Sequence, residues 1–95
     1  MNIFVVNCGS SSIKYELFDM AGAMSLFTGL LEQIGEGTAT LTHHSSINGK
    51  QKTTFTSDVL NDHSNGFAFI TECIGAIEKD FSIKHIHTIG HRVVH

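Results

Sequence analysis

The chain has 95 residues, 41% of them hydrophobic and 16% charged, with a formal charge of −3 at pH 7. That length sets one compact core with no room for a second lobe, and the composition is that of a soluble globular chain rather than a disordered or membrane one. The six lysines and arginines are scattered, with no basic stripe to track a nucleic-acid backbone, and no apolar run approaches the roughly 18–20 residues that cross a bilayer.

Asn2 to Val6 is a short, nearly continuous apolar run, the pattern of a central strand covered on both faces. Gly9 to Ser12 break it. From Ile13 to Asp19 the pattern alternates, with Ile13, Tyr15 and Leu17 on one side and Lys14, Glu16 and Phe18 on the other, which predicts a partner strand and hence a hairpin. Ala21 to Ala23, centred on Gly22, is a further turn. Met24 to Ile34 then continues the meander until Gly35 to Gly37 close it. Thr38 to His43 and Gln51 to Thr56, divided by Ser46 to Gly49, have the threonine-rich composition of a second, more exposed hairpin.

Beyond Asp58 the period becomes helical: Phe67, Ile70, Ile74 and Ile77 recur on one face, widened by Phe69 and Cys73. This predicts a helix from about Asn61 to about Lys79, with Asn61 or Asp62 as N-cap. Gly66 and Gly75 each lower its intrinsic propensity by about 1 kcal/mol against alanine, so packing of the isoleucine face must hold it. Asp80 to Lys84 reads as a loop, and His85 to Ile89 as a strand leading into Gly90, His91, Arg92, Val93, Val94 and His95. A valine pair at the end, without turn or polar tail, predicts that the natural chain continues.

Cys8 and Cys73 are too few and too far apart for a disulfide framework, and both read as reduced packing residues. The start lacks the charged, apolar and small-residue order of a signal peptide, so the chain reads as cytoplasmic.

A phosphate held by a hairpin turn needs free backbone amides, a residue without a side chain where the ligand approaches, and hydroxyl donors. Gly9, Ser10, Ser11 and Ser12 supply that set; Lys14 adds a compact positive charge, and Asn7 an amide able to orient a metal-bound water or hold the turn. An ordinary hairpin connection with solvated serines has the same composition. The segment is not a Walker loop, since the G-x-x-x-x-G-K-[ST] spacing is absent and a strand follows instead of a helix. Strand, glycine-serine turn and strand is how the superfamily of sugar kinases, heat-shock ATPases and actin holds nucleotide phosphates.

NCGSSSIKYELFD at Asn7 to Asp19 and GHRVVH at Gly90 to His95 resemble the two signatures of the acetate kinase family. The resemblance covers the whole chain. It implies an α/β fold of the ribonuclease H-like type, a mixed sheet begun by an antiparallel meander with one helix packed on it. Residues 1–95 would be part of the amino-terminal lobe of a two-lobed acyl kinase, usually homodimeric. It further implies reversible transfer of the ATP γ-phosphate to acetate with Mg2+, propionate and butyrate being the competing substrates. By position, Asn7 corresponds to the magnesium-associated asparagine, Lys14 to the ATP-associated lysine, and Ser10 and Ser12, beside Gly9, to the serines of the phosphate site. Arg92 corresponds to the arginine that holds the acyl substrate and acts in catalysis.

The histidines carry a rival reading. His85, His87, His91 and His95 are close enough in sequence for a zinc-binding module, although Gly90, Val93 and Val94 interrupt a helical H-x3-H arrangement. His43, His44 and His63 have no companion pattern and read as surface or hydrogen-bonded residues.

Overall fold

A computed structural model describes residues 2–19, 21, 23–46 and 51–78 in full and residues 88–93 by their backbone. The elements are β1 (Asn2–Cys8), β2 (Ile13–Asp19), β3 (Met24–Glu32), β4 (Ala39–Ser45), β5 (Gln51–Ser57), α1 (His63–Ile77) and β6 (Thr88–Val93). The strands form one sheet in the order β5-β4-β3-β2-β1-β6. β1 to β5 are an antiparallel meander and β6 runs parallel to β1. This is the mixed α/β sheet that the sequence predicts.

Period-two alternation decides which face is core. Phe4 and Val6 pair with Leu17 and Tyr15, Leu17 with Phe27, Ile13 with Leu31, and Leu31 with Leu41. All of these side chains are buried, so the register gathers them on one face. Each contributes about 1.5–3 kcal/mol by leaving water. Helix α1 covers this face through Gly66, Ile70 and Cys73.

The opposite face of β1, predicted to be covered as well, is less enclosed. Ile3 and Val5 are half-buried and, with Phe18 and Ala23, line an open apolar cavity of about 430 Å³.

Several boundaries differ from the sequence pattern for identifiable reasons. β1 continues to Cys8, because Asn7 and Cys8 still pair with Lys14 and Ile13. β3 stops at Glu32, because Gln33 takes a φ of 63° and the Ile34 amide turns to donate to the Ser11 carbonyl at 2.9 Å. The second hairpin is not uniformly exposed. β4 pairs with β3 and buries Ala39, Leu41, His43 and Ser45, leaving β5 as the exposed edge. The middle of its turn (residues 47–49), Gly22, Lys79, the predicted loop 80–84, residues 85–87 and residues 94–95 lie outside the described residues.

Asp62 is the N-cap of α1, its Oδ1 accepting from the Asn65 amide at 2.8 Å. The helix stripe is centred on Gly66, Ile70 and Cys73, with Phe67, Phe69 and Ile74 partly buried at its margins. Gly66 is therefore a contact rather than only a weak point. A Cβ there would stand 3.1 Å from Ile34 Cδ1 and Leu31 Cδ2, so glycine lets the helix approach the sheet.

The far end of the helix is held by a buried polar network. The Tyr15 hydroxyl and His43 Nδ1 are 2.5 Å apart, and Ser45 Oγ donates to Glu78 Oε2 at 3.2 Å. His43 Nε2 and Glu78 Oε1 face each other at 3.6 Å, both side chains about 1% exposed. Burial lowers the His43 pKa from 6.5 against the opposing pull of Glu78, and burial likewise raises that of Tyr15. His43 is thus a core residue bonded across strands.

Candidate functional site

The turn between β1 and β2 is closed by the Gly9 amide, which donates to the Ser12 carbonyl at 2.9 Å. A Cβ at position 9 would sit 2.6 Å from Ser12 Oγ, so any side chain there would force the Ser12 hydroxyl to turn away. Two bonds anchor the turn from outside. Ile34 donates its amide to the Ser11 carbonyl at 2.9 Å, and His63, first residue of α1, places Nε2 2.7 Å from the Gly9 carbonyl oxygen. A carbonyl only accepts, so His63 donates. Among the described residues, the amides of Ser10, Ser11 and Ser12 have no protein acceptor. Ser10 is exposed, and Ser11 and Ser12 are half-buried.

Register brings the remaining predicted residues into one row. Asn7 pairs with Lys14 on β2 and with Arg92 on β6. Strand spacing of about 4.8 Å makes the row roughly 10 Å wide at the backbone. Lys14 is exposed and Asn7 half-buried, and both alternate with the buried Val6, Ile13 and Tyr15. They therefore lie on the face away from the helix. The strands thus gather positions 7, 14 and 92, 85 residues apart at the extremes by number (92 − 7), beside the turn carrying Gly9, Ser10 and Ser12. Free amides, hydroxyls and a cation at one end of a sheet are the groups that a cradle for an oxyanion requires.

The sequence did not mark His63 as part of this arrangement. Its only local signal is its place directly after Asp62, where a helix start brings the first side chain up to whatever loop lies beside it. The four histidines weighed as a zinc site divide differently: His91 belongs to β6, whereas His85, His87 and His95 lie outside the described residues. Among the described residues, no three His, Cys, Asp or Glu side chains converge as metal ligands.

The family model described as the Acetokinase family matches residues 2–95. Acetate kinase 2 of Clostridium perfringens is 44% identical over 100 residues, covering 100% of this chain and 24% of its own length. Acetate kinase of Thermoanaerobacter pseudethanolicus is 40% identical over 99 residues, covering 100% and 23%. The crystal structure of Porphyromonas gingivalis acetate kinase superposes with a TM-score of 0.82 at 32% identity, over 99% of this chain and 23% of that one. A propionate kinase from Francisella tularensis superposes with a TM-score of 0.73 at 30% identity, over 99% and 22%. The chain spans less than a quarter of the length of the curated relatives it matches. The likeness to both structures bears out the ribonuclease H-like α/β reading, and the chain belongs to the acetokinase family.

Proposed function

We propose that residues 1–95 form part of the amino-terminal lobe of a two-lobed acetate kinase, which transfers the ATP γ-phosphate to acetate and releases acetyl phosphate and ADP. The observation that carries the proposal is the row Lys14, Asn7, Arg92 beside the closed Gly9–Ser12 turn. An acetate oxygen forms the new bond to the γ-phosphorus as the bond from that phosphorus to the β,γ-bridging oxygen breaks, and the electron pair leaves with ADP. A carboxylate nucleophile needs no base, so the protein's work is positioning and charge neutralisation.

Gly9 with the hydroxyls of Ser10 and Ser12 would line the phosphates, and Lys14 would offset their charge. Arg92 would grip the acyl carboxylate and the transferring phosphoryl group, a task suited to its planar, permanently charged fork. Asn7 offers one amide oxygen and the turn adds serine hydroxyls, with no carboxylate cluster among the described residues. That donor set fits a Mg2+ that keeps several waters and touches the protein through them. When bound, the ion would neutralise phosphate charge. Homodimeric assembly and a cytoplasmic location belong to the same proposal. No helix among the described residues is long and apolar enough to cross a membrane.

The test is an acyl phosphate assay, trapping the product as the hydroxamate, on the full-length protein supplied with ATP, Mg2+ and acetate, propionate or butyrate. Turnover fastest with acetate is expected. No acyl phosphate from any of the three acids would overturn the proposal, and preference for propionate would reassign the substrate. Residues 1–95 alone should give none, because the second lobe is needed.

A further inference from the structure

We infer that His63 is a positioning residue for the phosphate-handling turn, setting the direction of the Ser10 amide through its hydrogen bond to the Gly9 carbonyl. The inference rests on the phosphate-binding reading of that turn. A trans peptide is planar, with its C=O and N–H pointing in opposite directions. The carbonyl of Gly9 and the amide of Ser10 belong to the same peptide unit. His63 Nε2 holds that carbonyl at 2.7 Å from the helix side, so the Ser10 N–H is directed away from the helix. That is the side of the sheet on which Lys14 and Asn7 lie. The Ile34 amide holds the Ser11 carbonyl, on the next peptide but one, and so fixes the direction of the Ser12 N–H.

The peptide following a glycine most needs such a tie. Gly9 has the widest backbone freedom of any residue type, so its ψ, which helps to orient this peptide, is only weakly restrained by local sterics. The bond spans 54 residues of sequence. Among the described residues it is the only hydrogen bond between a side chain of α1 and the turn. It therefore ties the start of α1 to the turn between β1 and β2 from the side opposite to the one the Ser10 amide faces. His63 is itself half-buried and, with Cys8, Ile13, Ser64 and Phe67, lines an open cavity of about 340 Å³. Removing the imidazole would extend an existing cavity rather than open a sealed core.

The experiment compares His63→Leu, which has no donor, with His63→Gln, whose side-chain amide can donate, in the full-length protein. His63→Leu is expected to raise KM for ATP about tenfold with KM for acetate changed less than about twofold, and His63→Gln to recover most of the loss. Equal KM for ATP in wild type and His63→Leu, or KM values for both substrates raised alike, would overturn the inference. If His63→Leu does not fold, His63→Asn, whose amide is too short to reach, replaces it under the same criteria. The backbone amide resonance of Ser10 should move in the donor-free variant even if the wild type makes no acyl phosphate. An unmoved Ser10 resonance sinks the inference, whereas an inactive wild type with a moved resonance sinks only the functional reading.

Discussion

The ring of Tyr15 lies directly over Gly29, its register partner on β3, so that a Cβ built on the glycine would overlap Tyr15 Cζ and the hydroxyl oxygen. The ring cannot step aside cheaply. It stacks on Phe4 with centroids 5.7 Å apart, meets Phe27 edge-on, and is tied by its hydroxyl to His43. Gly29→Ala should therefore destabilise the fold by about 1–3 kcal/mol, the range for overpacking a filled core. A chemical denaturation midpoint equal to that of wild type would show that the ring has somewhere to go.

Two glycines of α1 should respond in opposite ways to the same methyl group. Gly75 has open space around an added Cβ, so Gly75→Ala gains helix propensity and should stabilise by about 0.5–1 kcal/mol. At Gly66 the same gain is opposed by methyl groups of Leu31 and Ile34 at 3.1 Å and Ile13 at 3.3 Å, deep in the helix–sheet contact. Gly66→Ala should not stabilise. Thermal unfolding of the two variants side by side decides the matter, and equal shifts would contradict the close approach.

His43 makes stability depend on acid in a definite direction. Burial lowers its folded pKa below the unfolded value of 6.5, with Glu78 opposing and the charge of His44 adding to the shift. The unfolded chain therefore binds the proton first as pH falls, and stability rises with pH across the interval. The contribution is complete above 6.5 and is lost as pH drops through the lowered folded value. Replacing the imidazole by a side chain that does not titrate, His43→Gln, should flatten the dependence of the denaturation midpoint on pH as it falls below 6.5. The same slope in wild type and variant would assign the acid sensitivity to other groups.

The two thiols should separate by reactivity. Cys73 is about 5% exposed, and burial, helped by the charge of Glu72, pushes its pKa up to about 11. The thiolate that reacts is scarce there. Cys8 is half-buried at the open cavity beside His63. Iodoacetamide at about pH 8 should label Cys8 well before Cys73 in peptide maps of the folded protein. Labelling of both at one rate would indicate that the helix opens from the sheet on the timescale of the reaction.

How far the sequence reveals this molecule depends on how local each cause is. The alternation of Ile13, Tyr15 and Leu17 against Lys14, Glu16 and Phe18 is a local signal, and it matches the limits and faces of β2. The Asp62 cap is local too. The burial of His43 is not, because it depends on Tyr15 reaching across Gly29 and on Glu78 arriving from the end of the helix. Threonines and histidines in β4 suggest an exposed strand, yet pairing with β3 places alternate residues in the core. The site divides along the same line. Asn7, Gly9, Ser10, Ser12 and Lys14 are contiguous enough to form a visible motif. His63 becomes part of the turn only when α1 packs on the sheet, and its partner is a backbone oxygen that leaves no trace in residue type.

Arg92 provides the sharpest test of the proposed chemistry, because its strand position and its chemistry can be separated. β6 joins the sheet by backbone pairing with β1, and the pairing of position 92 with Asn7 requires no particular side chain. In the full-length protein, Arg92→Ala should lower kcat by about 100-fold or more, the scale on which removing a charge-stabilising donor acts. Arg92→Lys keeps the charge but loses the planar fork that grips two oxygens together, so it should recover only a minor share of the activity. Circular dichroism and the unfolding midpoint should match wild type in both variants. Near-normal turnover in Arg92→Ala would remove the arginine from the mechanism. Full recovery in Arg92→Lys would reduce its role to that of a point charge, leaving orientation of the acyl carboxylate to other residues.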